Sequence, residues 1–292
     1  MPKQRFVVRD PASGAVRVLD RRRTIARSAL GMAEHVAISA ANSAPYGFTN
    51  RLRVALTYYG AAHWSVARHT EVIDANRSLV LHAGDEFADR QIGRDGRASV
   101  LLSPSRGVAE ELFHAAPRIA AAHAMSLPAS MRLRLLTHHL LALDASDGGE
   151  PLFADELMIA ALRESLGGVA GVPIVTPATR IIRRAKEILH EGEVRTLRLD
   201  AVAREAGCSP VYLTQAFRRA EGVPLYRYHM RLRLTQVLLD LAEADDLTAL
   251  ALDHGFSSHS HLTSSFRAAF GTTPSQVRAE LRARARPLPR AA

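Results

Sequence analysis

Apolar residues at helical spacing fill the chain after Pro177. The pattern predicts helices over 178–191, 199–206, 209–221, 224–242, 247–254, 258–270 and 274–284, with glycines and prolines between them as stop and start signals. Residues 51–113 follow the shorter period. "RLRVALTYYG", "HWSVARHTEVI", "RSLVLHA" and "RASVLLS" are β-rich runs punctuated by "DANR", "AGDE" and "GRDG", which predicts a small barrel or sandwich. Residues 24–42 are Ala-rich and leave a helix and an arm both open. From 117 to 166 helical spacing returns in "MRLRLLTHHLLALD" and "ADELMIAALRESL". "DASDGGE" between them is read as a turn, because the ligand spacing of a calcium loop is incomplete. "GGVAGVPIVTP", residues 167–177, is the linker candidate. The expected fold class is therefore α+β and multidomain. A β-rich domain occupies 1–116, a helical dimerisation or linker region 117–176, an all-α domain 177–284 and a flexible tail 285–292.

Within the all-α domain a single pattern occurs twice, as "AVAREAGCSPVYLTQAFRRAEGVP" and "ALALDHGFSSHSHLTSSFRAAFGTTP". Ala203 precedes Gly207 by four residues, as Ala251 precedes Gly255; Leu213, Phe217, Arg218 and Gly222 recur as Leu262, Phe266, Arg267 and Gly271. Each copy has the grammar of a helix-turn-helix. A small alanine allows close helix approach, a glycine supplies the positive φ that ends the first helix, and a serine caps the second: Ser209, then Ser257 or Ser258. On the helical wheel Tyr212, Leu213, Ala216, Phe217 and Ala220 share a packed arc; Val211, Thr214, Gln215 and Arg218 share the open one. In the second copy His261, Leu262, Ser265, Phe266 and Ala269 pack, leaving Ser260, Thr263, Ser264 and Arg267 outside. His259 and His261 diverge by about 200° on a helix, which excludes a metal clip. His261 takes a core position, and His259 at the helix edge is left for a phosphate or a base. The connecting helix, 19 residues and about 28 Å long, sets the two recognition helices roughly 30–35 Å apart, near the ~34 Å turn of B-DNA.

Charge supports that reading. Net charge is +9, and residues 177–292 carry 18 Lys and Arg against 12 Asp and Glu, against 20 and 17 in the rest. Such an excess suits a polyanion-binding domain. The single cysteine, Cys208, rules out a disulfide framework and a multi-cysteine zinc site. A turn residue is the better reading of it than a thiol sensor. No apolar run is long enough to span a membrane and the N-terminus lacks a signal-type apolar core, so a cytoplasmic home is expected.

"GFSSHSHLTSSFRAAFGTTPSQVR", which includes Pro274 at the start of the last helix, and "AGCSPVYLTQAFRRAEG" resemble the AraC/XylS family of bacterial transcription regulators over about residues 178–284. The resemblance implies a seven-helix, two-motif DNA-binding domain. It places base readout on Val211, Thr214, Gln215, His259, Ser260, Thr263 and Ser264. Relatives often carry a long basic or amide side chain where Ser264 stands, which implies weaker or water-mediated readout by copy two. Independently, Gln215 suits bidentate bonding to adenine, and Val211 or Thr214 suits a thymine methyl. Ser209, Arg218, Ser258 and Arg267 are assigned to phosphates. Ala203, Gly207, Leu213, Phe217, Ala251, Gly255, Phe256, His261, Leu262, Phe266, Gly271 and Pro274 form the structural frame of the motif. Expected partners are double-stranded DNA, a small-molecule effector, a second copy as homodimer, and RNA polymerase.

Family members often carry a cupin-like sensing barrel first, and residues 51–113 loosely resemble one. His63, His69, His82 and Glu86 are available there, without the close His-x-His spacing of cupin enzymes. Two functional classes are weighed: a DNA-binding regulator without enzymatic activity or cofactor, and an N-terminal cupin-type metal enzyme tethered to a nucleic-acid-binding domain. The first is favoured because the strongest motifs are readout motifs.

Overall fold

The computed structural model describes residues 8–9, 16–17, 21–38, 47–66, 69–93, 96–115, 125–143, 151–167, 178–191 and 198–284. Two short strands, Val8–Arg9 (β1) and Val16–Arg17 (β2), pair with each other. The remaining strands form two antiparallel sheets. Arg21–Ser28 (β3), Gly31–Ile38 (β4), Arg53–Tyr59 (β6), Arg77–Leu81 (β9), Arg97–Pro104 (β11) and Met125–Pro128 (β12) run in the order β12-β9-β6-β11-β4-β3. Gly47–Phe48 (β5), Ala61–Val66 (β7), His69–Ile73 (β8) and Glu86–Ile92 (β10) run in the order β5-β10-β7-β8. Ala55, Leu79, Leu81 and Leu101 of the first sheet meet Trp64, Val66, Ile73 and Phe87 of the second. The outer face of the six-stranded sheet packs Val54, Leu56, Tyr58, Val80, Val100 and Leu102 against helices Arg106–Ala115 (α1), Met131–Leu141 (α2) and Pro151–Gly167 (α3).

Several elements differ from the sequence reading. The Ala-rich stretch at 24–42 enters a β-hairpin over 21–38: Ala33, His35 and Ala37 alternate onto one buried face, which is strand periodicity. The strand reading of 51–113 overshoots, since residues from Arg106 onward form α1, and the helical reading of 117–166 misses β12. The turn at 144–150, residues 168–177 of the 167–177 linker candidate and the tail at 285–292 lie outside the described residues, while Gly167 ends α3. The broad apolar face of α2 is consumed within one chain. Leu133 and Leu140 join the sheet core, while Met131 and Leu135 join the second half of the C-terminal domain.

The C-terminal helices fall where the periodicity places them, within one or two residues: Ala178–Glu191 (α4), Leu199–Glu205 (α5), Pro210–Glu221 (α6), Leu225–Asp240 (α7), Leu247–Asp253 (α8), His259–Phe270 (α9) and Pro274–Arg284 (α10). They bury two cores. Ile182, Ala185, Val202, Ala203, Leu213 and Phe217 meet Leu225, Tyr228 and Leu232 of α7. Leu234, Val237 and Leu238, further along α7, meet Leu250, Phe256, Leu262, Phe266 and Val277. Helix α7 is thus the common spine of both halves. It has 16 residues, about 24 Å, three fewer than the pattern suggests, because Pro224 is its N-cap and Leu241 opens a turn.

Helix α4 lies on the outer face of the four-stranded sheet, and the 74–77 turn between β8 and β9 is buried against α4 and α7. Asp74, fully buried, accepts from Tyr228 Oη at 2.7 Å and pairs with His190 Nε2 at 2.9 Å. Burial opposes its charge, but the bonds from His190 and Tyr228 and the nearby Lys186 ammonium hold its carboxyl well below the usual carboxylate range. Asn76 Nδ2 donates to the Tyr228 carbonyl at 3.1 Å and its Oδ1 accepts from Arg134 at 3.0 Å. Glu221, the last residue of α6, takes Lys186 at 2.6 Å and Arg77 at 3.8 Å. Charges of opposite sign are paired inside this seam, as burial requires.

Candidate nucleic-acid interface

Both copies of the repeat build one backbone device. After α5, Gly207 turns at φ 74° and the Cys208 N–H donates to the Ala203 carbonyl at 2.9 Å. After α8, Gly255 turns at φ 72° and the Phe256 N–H donates to the Ala251 carbonyl at 2.8 Å. With the Gly207-to-Arg204 and Gly255-to-Leu252 bonds these are Schellman caps. Ala203 and Ala251 are fully buried at the crossing, where a larger side chain would hold the helices apart. Ser209 Oγ accepts from the Tyr212 N–H at 3.2 Å and caps α6; Ser258 Oγ accepts from His261 N–H at 3.1 Å and caps α9, which decides between Ser257 and Ser258. Gly222 and Gly271, in the left-handed region, end the two recognition helices.

The packed sides are Leu213, Ala216 and Phe217 in copy one and Leu262 and Phe266 in copy two, with Pro274 starting α10. Tyr212 corrects the wheel reading: it is 45% exposed. In the first turn a side chain leans toward the helix N-terminus and passes the partners that cover later residues. Ala220, in the last turn, is exposed too. His261 is half-buried. Its ring meets Phe256 edge-on at 5.3 Å, and Nδ1 accepts from the Ser257 N–H at 3.3 Å, a structural role. His259 Nε2 lies 3.4 Å from Thr263 Oγ1, on another side of α9.

The open sides face solvent in both copies. Val211 is 68% exposed, and Thr214, Gln215 and Arg218 are exposed beside it. Ser260, Ser264 and Arg267 are exposed on α9, with His259 and Thr263 half-exposed. Thr214 Oγ1 donates to the Pro210 carbonyl at 2.8 Å and Ser264 Oγ to the Ser260 carbonyl at 2.9 Å. Each has spent its proton inside its helix and offers outward only a lone pair, suited to a base amino group. Gln215 is exposed with no side-chain hydrogen bond among the described residues, so both ends of its amide are open to a partner. Arg218 and Arg267 stand in the last turns of their helices, as phosphate contacts flanking a readout face would. Exposed Tyr212 belongs beside Val211 on this surface; its first-turn position was the signal that the wheel alone overlooks. Cys208 is half-buried against the first core, and burial pushes its thiol up, which disfavours the reactive thiolate.

The candidate metal ligands His63, His82 and Glu86 do not converge. His63 faces α4, His82 stacks on Phe113 at 5.3 Å, and Glu86 is exposed opposite Phe48. His69 pairs with Val66 at the start of β8. Among the described residues no group of three or more His, Cys, Asp or Glu side chains is placed to hold a metal ion. No described helix is long and apolar enough to cross a membrane.

Two exposed recognition faces carried by one spine helix define a double helix-turn-helix DNA-binding domain. Residues 202–280 match the family described as a helix-turn-helix domain. The C-terminal domain is of the AraC type, and the protein is a DNA-binding transcription regulator. Among solved structures the chain is similar to apo ToxT from Vibrio cholerae, at 12% identity over 88% of this chain and 99% of that one, with a TM-score of 0.39. It is also similar to ToxT bound to an unsaturated fatty acid, at 12% identity over 85% and 95%, TM-score 0.35. An AraC-type regulator from Chromobacterium violaceum matches at 26% identity over 35% and 91%, TM-score 0.33.

Proposed function

We propose that one chain reads two successive major grooves of double-stranded DNA, with α6 in one and α9 in the next. Val211, Thr214 and Gln215, then His259, Ser260, Thr263 and Ser264, meet base edges; Ser209, Arg218, Ser258 and Arg267 meet phosphates. The Ser209 and Ser258 oxygens accept within their caps, so their hydroxyl protons remain for a phosphate. The observation that carries this reading is the repeated geometry itself: a serine cap and a left-handed glycine stop on both α6 and α9, in the two halves joined by α7, with both outer faces open.

The same reading gives residues 1–116 a cupin-like sensing role, residues 117–176 a coupling role and residues 177–284 the readout. A small-molecule effector acts on the first; the regulator works in the cytoplasm, as a homodimer, in reach of RNA polymerase. The buried contacts of Asp74 with His190 and Tyr228, of Arg77 with Glu221 at the end of α6, and of Lys186 with the Val72 carbonyl support coupling, because they tie the β-rich half to the copy-one half of the C-terminal domain. Selection of duplexes from a random pool by the full chain is expected to enrich two short elements about one helical turn apart. Enrichment of one isolated element would reject the two-groove reading.

A further inference from the structure

The four-stranded sheet and α4 do not close fully against each other. Between them lies a cavity of about 620 Å³ lined by His63, Ser65, Thr70, Arg90, Arg183 and Glu187, among others. That volume falls within the ordinary range for small-molecule sites. Strand register explains its character. His63 stands opposite Arg90, and Ser65 opposite both Ala88 and Thr70, so polar residues of three strands gather toward α4 beside the apolar cluster of Ala61, Val72 and Ile92. Ala88 is the one apolar residue in the described lining, which disfavours a lipid tail.

Three features of this face are unused. The His63 side chain is 7% exposed; its Nε2 lies 3.2 Å from Glu187 Oε1, while its Nδ1 is buried with no hydrogen-bond partner among the described residues. Since the Glu187 carboxylate accepts, Nε2 carries the proton and Nδ1 is left as an acceptor. Burial, and then the Arg90 guanidinium, push the His63 pKa down, which keeps that lone pair at neutral pH. Arg90 and Arg183 form no ion pair among the described residues, whereas Glu187 is already held by Arg184 at 3.1 Å. Ser65 and Thr70 hydroxyls lie 2.8 Å apart, and one bond between them leaves one proton over.

We propose that this cavity binds a small organic anion bearing hydroxyl groups. Arg90 and Arg183 hold its charged group, one of its hydroxyls donates to His63 Nδ1, and the Ser65–Thr70 pair meets another. Because Arg90 belongs to the sheet and Arg183 to α4, the bound anion bridges the two halves beside the Asp74–His190 and Lys186–Glu221 contacts. As the site of the effector, it rests on the sensing role proposed above. Carboxylate and phosphate share the required chemistry.

Titration calorimetry on the full chain with gluconate, glucose 6-phosphate, octanoate and sorbitol tests the site. Saturable binding of gluconate or glucose 6-phosphate is expected, and the tighter of the two identifies the charged group. Arg90→Gln and Arg183→Gln should each weaken it at least tenfold with unchanged circular dichroism, and His63→Leu should weaken it as well. Absence of saturable binding by both hydroxylated anions, equal binding of octanoate or sorbitol, or indifference to either arginine substitution overturns the proposal. Gel shifts on a selected duplex separate the two readings. Anion-dependent DNA affinity that survives both substitutions leaves sensing standing and removes this site; substitution-sensitive binding without any change in DNA affinity keeps the site and removes sensing.

Discussion

Gln215 and Arg218 stand three residues apart on the exposed side of α6, yet they face different chemistry. An amide that reads adenine is worth about 1–3 kcal/mol of discrimination, and an arginine on a phosphate supplies affinity without sequence preference. Gln215→Ala should therefore weaken selected-site binding by about 1–3 kcal/mol and relax one base pair, while Arg218→Ala should lower affinity on every duplex and reduce the salt slope by about 1. Equal behaviour of both variants on random DNA would show that the faces are misassigned. A second residue-scale expectation concerns His35, buried beneath the six-stranded sheet with Nε2 2.7 Å from Tyr58 Oη. Burial, with the Arg23 guanidinium, pushes its imidazole down to about 4. Below pH 6.5 the unfolded chain takes up a proton that the folded chain refuses. Stability is thus complete above 6.5 and lost as pH falls toward 4, at about 1.4 kcal/mol per pH unit. Between pH 6.5 and 5 that is about 2 kcal/mol. Denaturant melts should show this loss shrinking in His35→Gln; an unchanged pH slope would assign the loss elsewhere.

At the scale of elements, the C-terminal helices were legible because their ends are written locally. Ser209 and Ser258 caps and the left-handed glycines at 207, 222, 255 and 271 use residues within one turn of the boundary they set. The β-rich half carries less of its plan locally. β3 and β4 hid in an Ala-rich stretch because alanine favours helix in isolation, and only close packing of Ala33 and Ala37 under the sheet makes them strand residues. β10, "EFADRQI", keeps three charged residues since one of its faces is partly open. The Gly207 turn offers a direct check. A Cβ there would meet nothing within 4 Å, so Gly207→Ala carries only the backbone cost of φ 74°, about 1–2 kcal/mol. A thermal melt showing no loss would mean the turn does not need its left-handed residue.

Across the whole molecule, the seam between the halves was invisible in sequence. Asp74, Lys186 and Glu221 read as ordinary surface charges until the fold places them 112 and 35 residues apart in sequence but in one buried cluster. Periodicity reports which residues are inside, and it cannot report which buried charges meet. The seam also leaves both recognition faces uncovered, so the docked arrangement presents α6 and α9 together. Helix α7, with 16 residues and a core on each half, fixes their separation.

What everything else depends on is that this rigid spacer delivers two helices to one side of a duplex at the same time. Hydroxyl-radical footprinting of the full chain on a selected site measures that directly. Two protected patches on the same face, about 10 base pairs apart, with the outer one lost when Arg267 and Ser264 are replaced by alanine, is the expected pattern. A lone patch that withstands those replacements, or protection spread around the duplex without periodicity, contradicts the account.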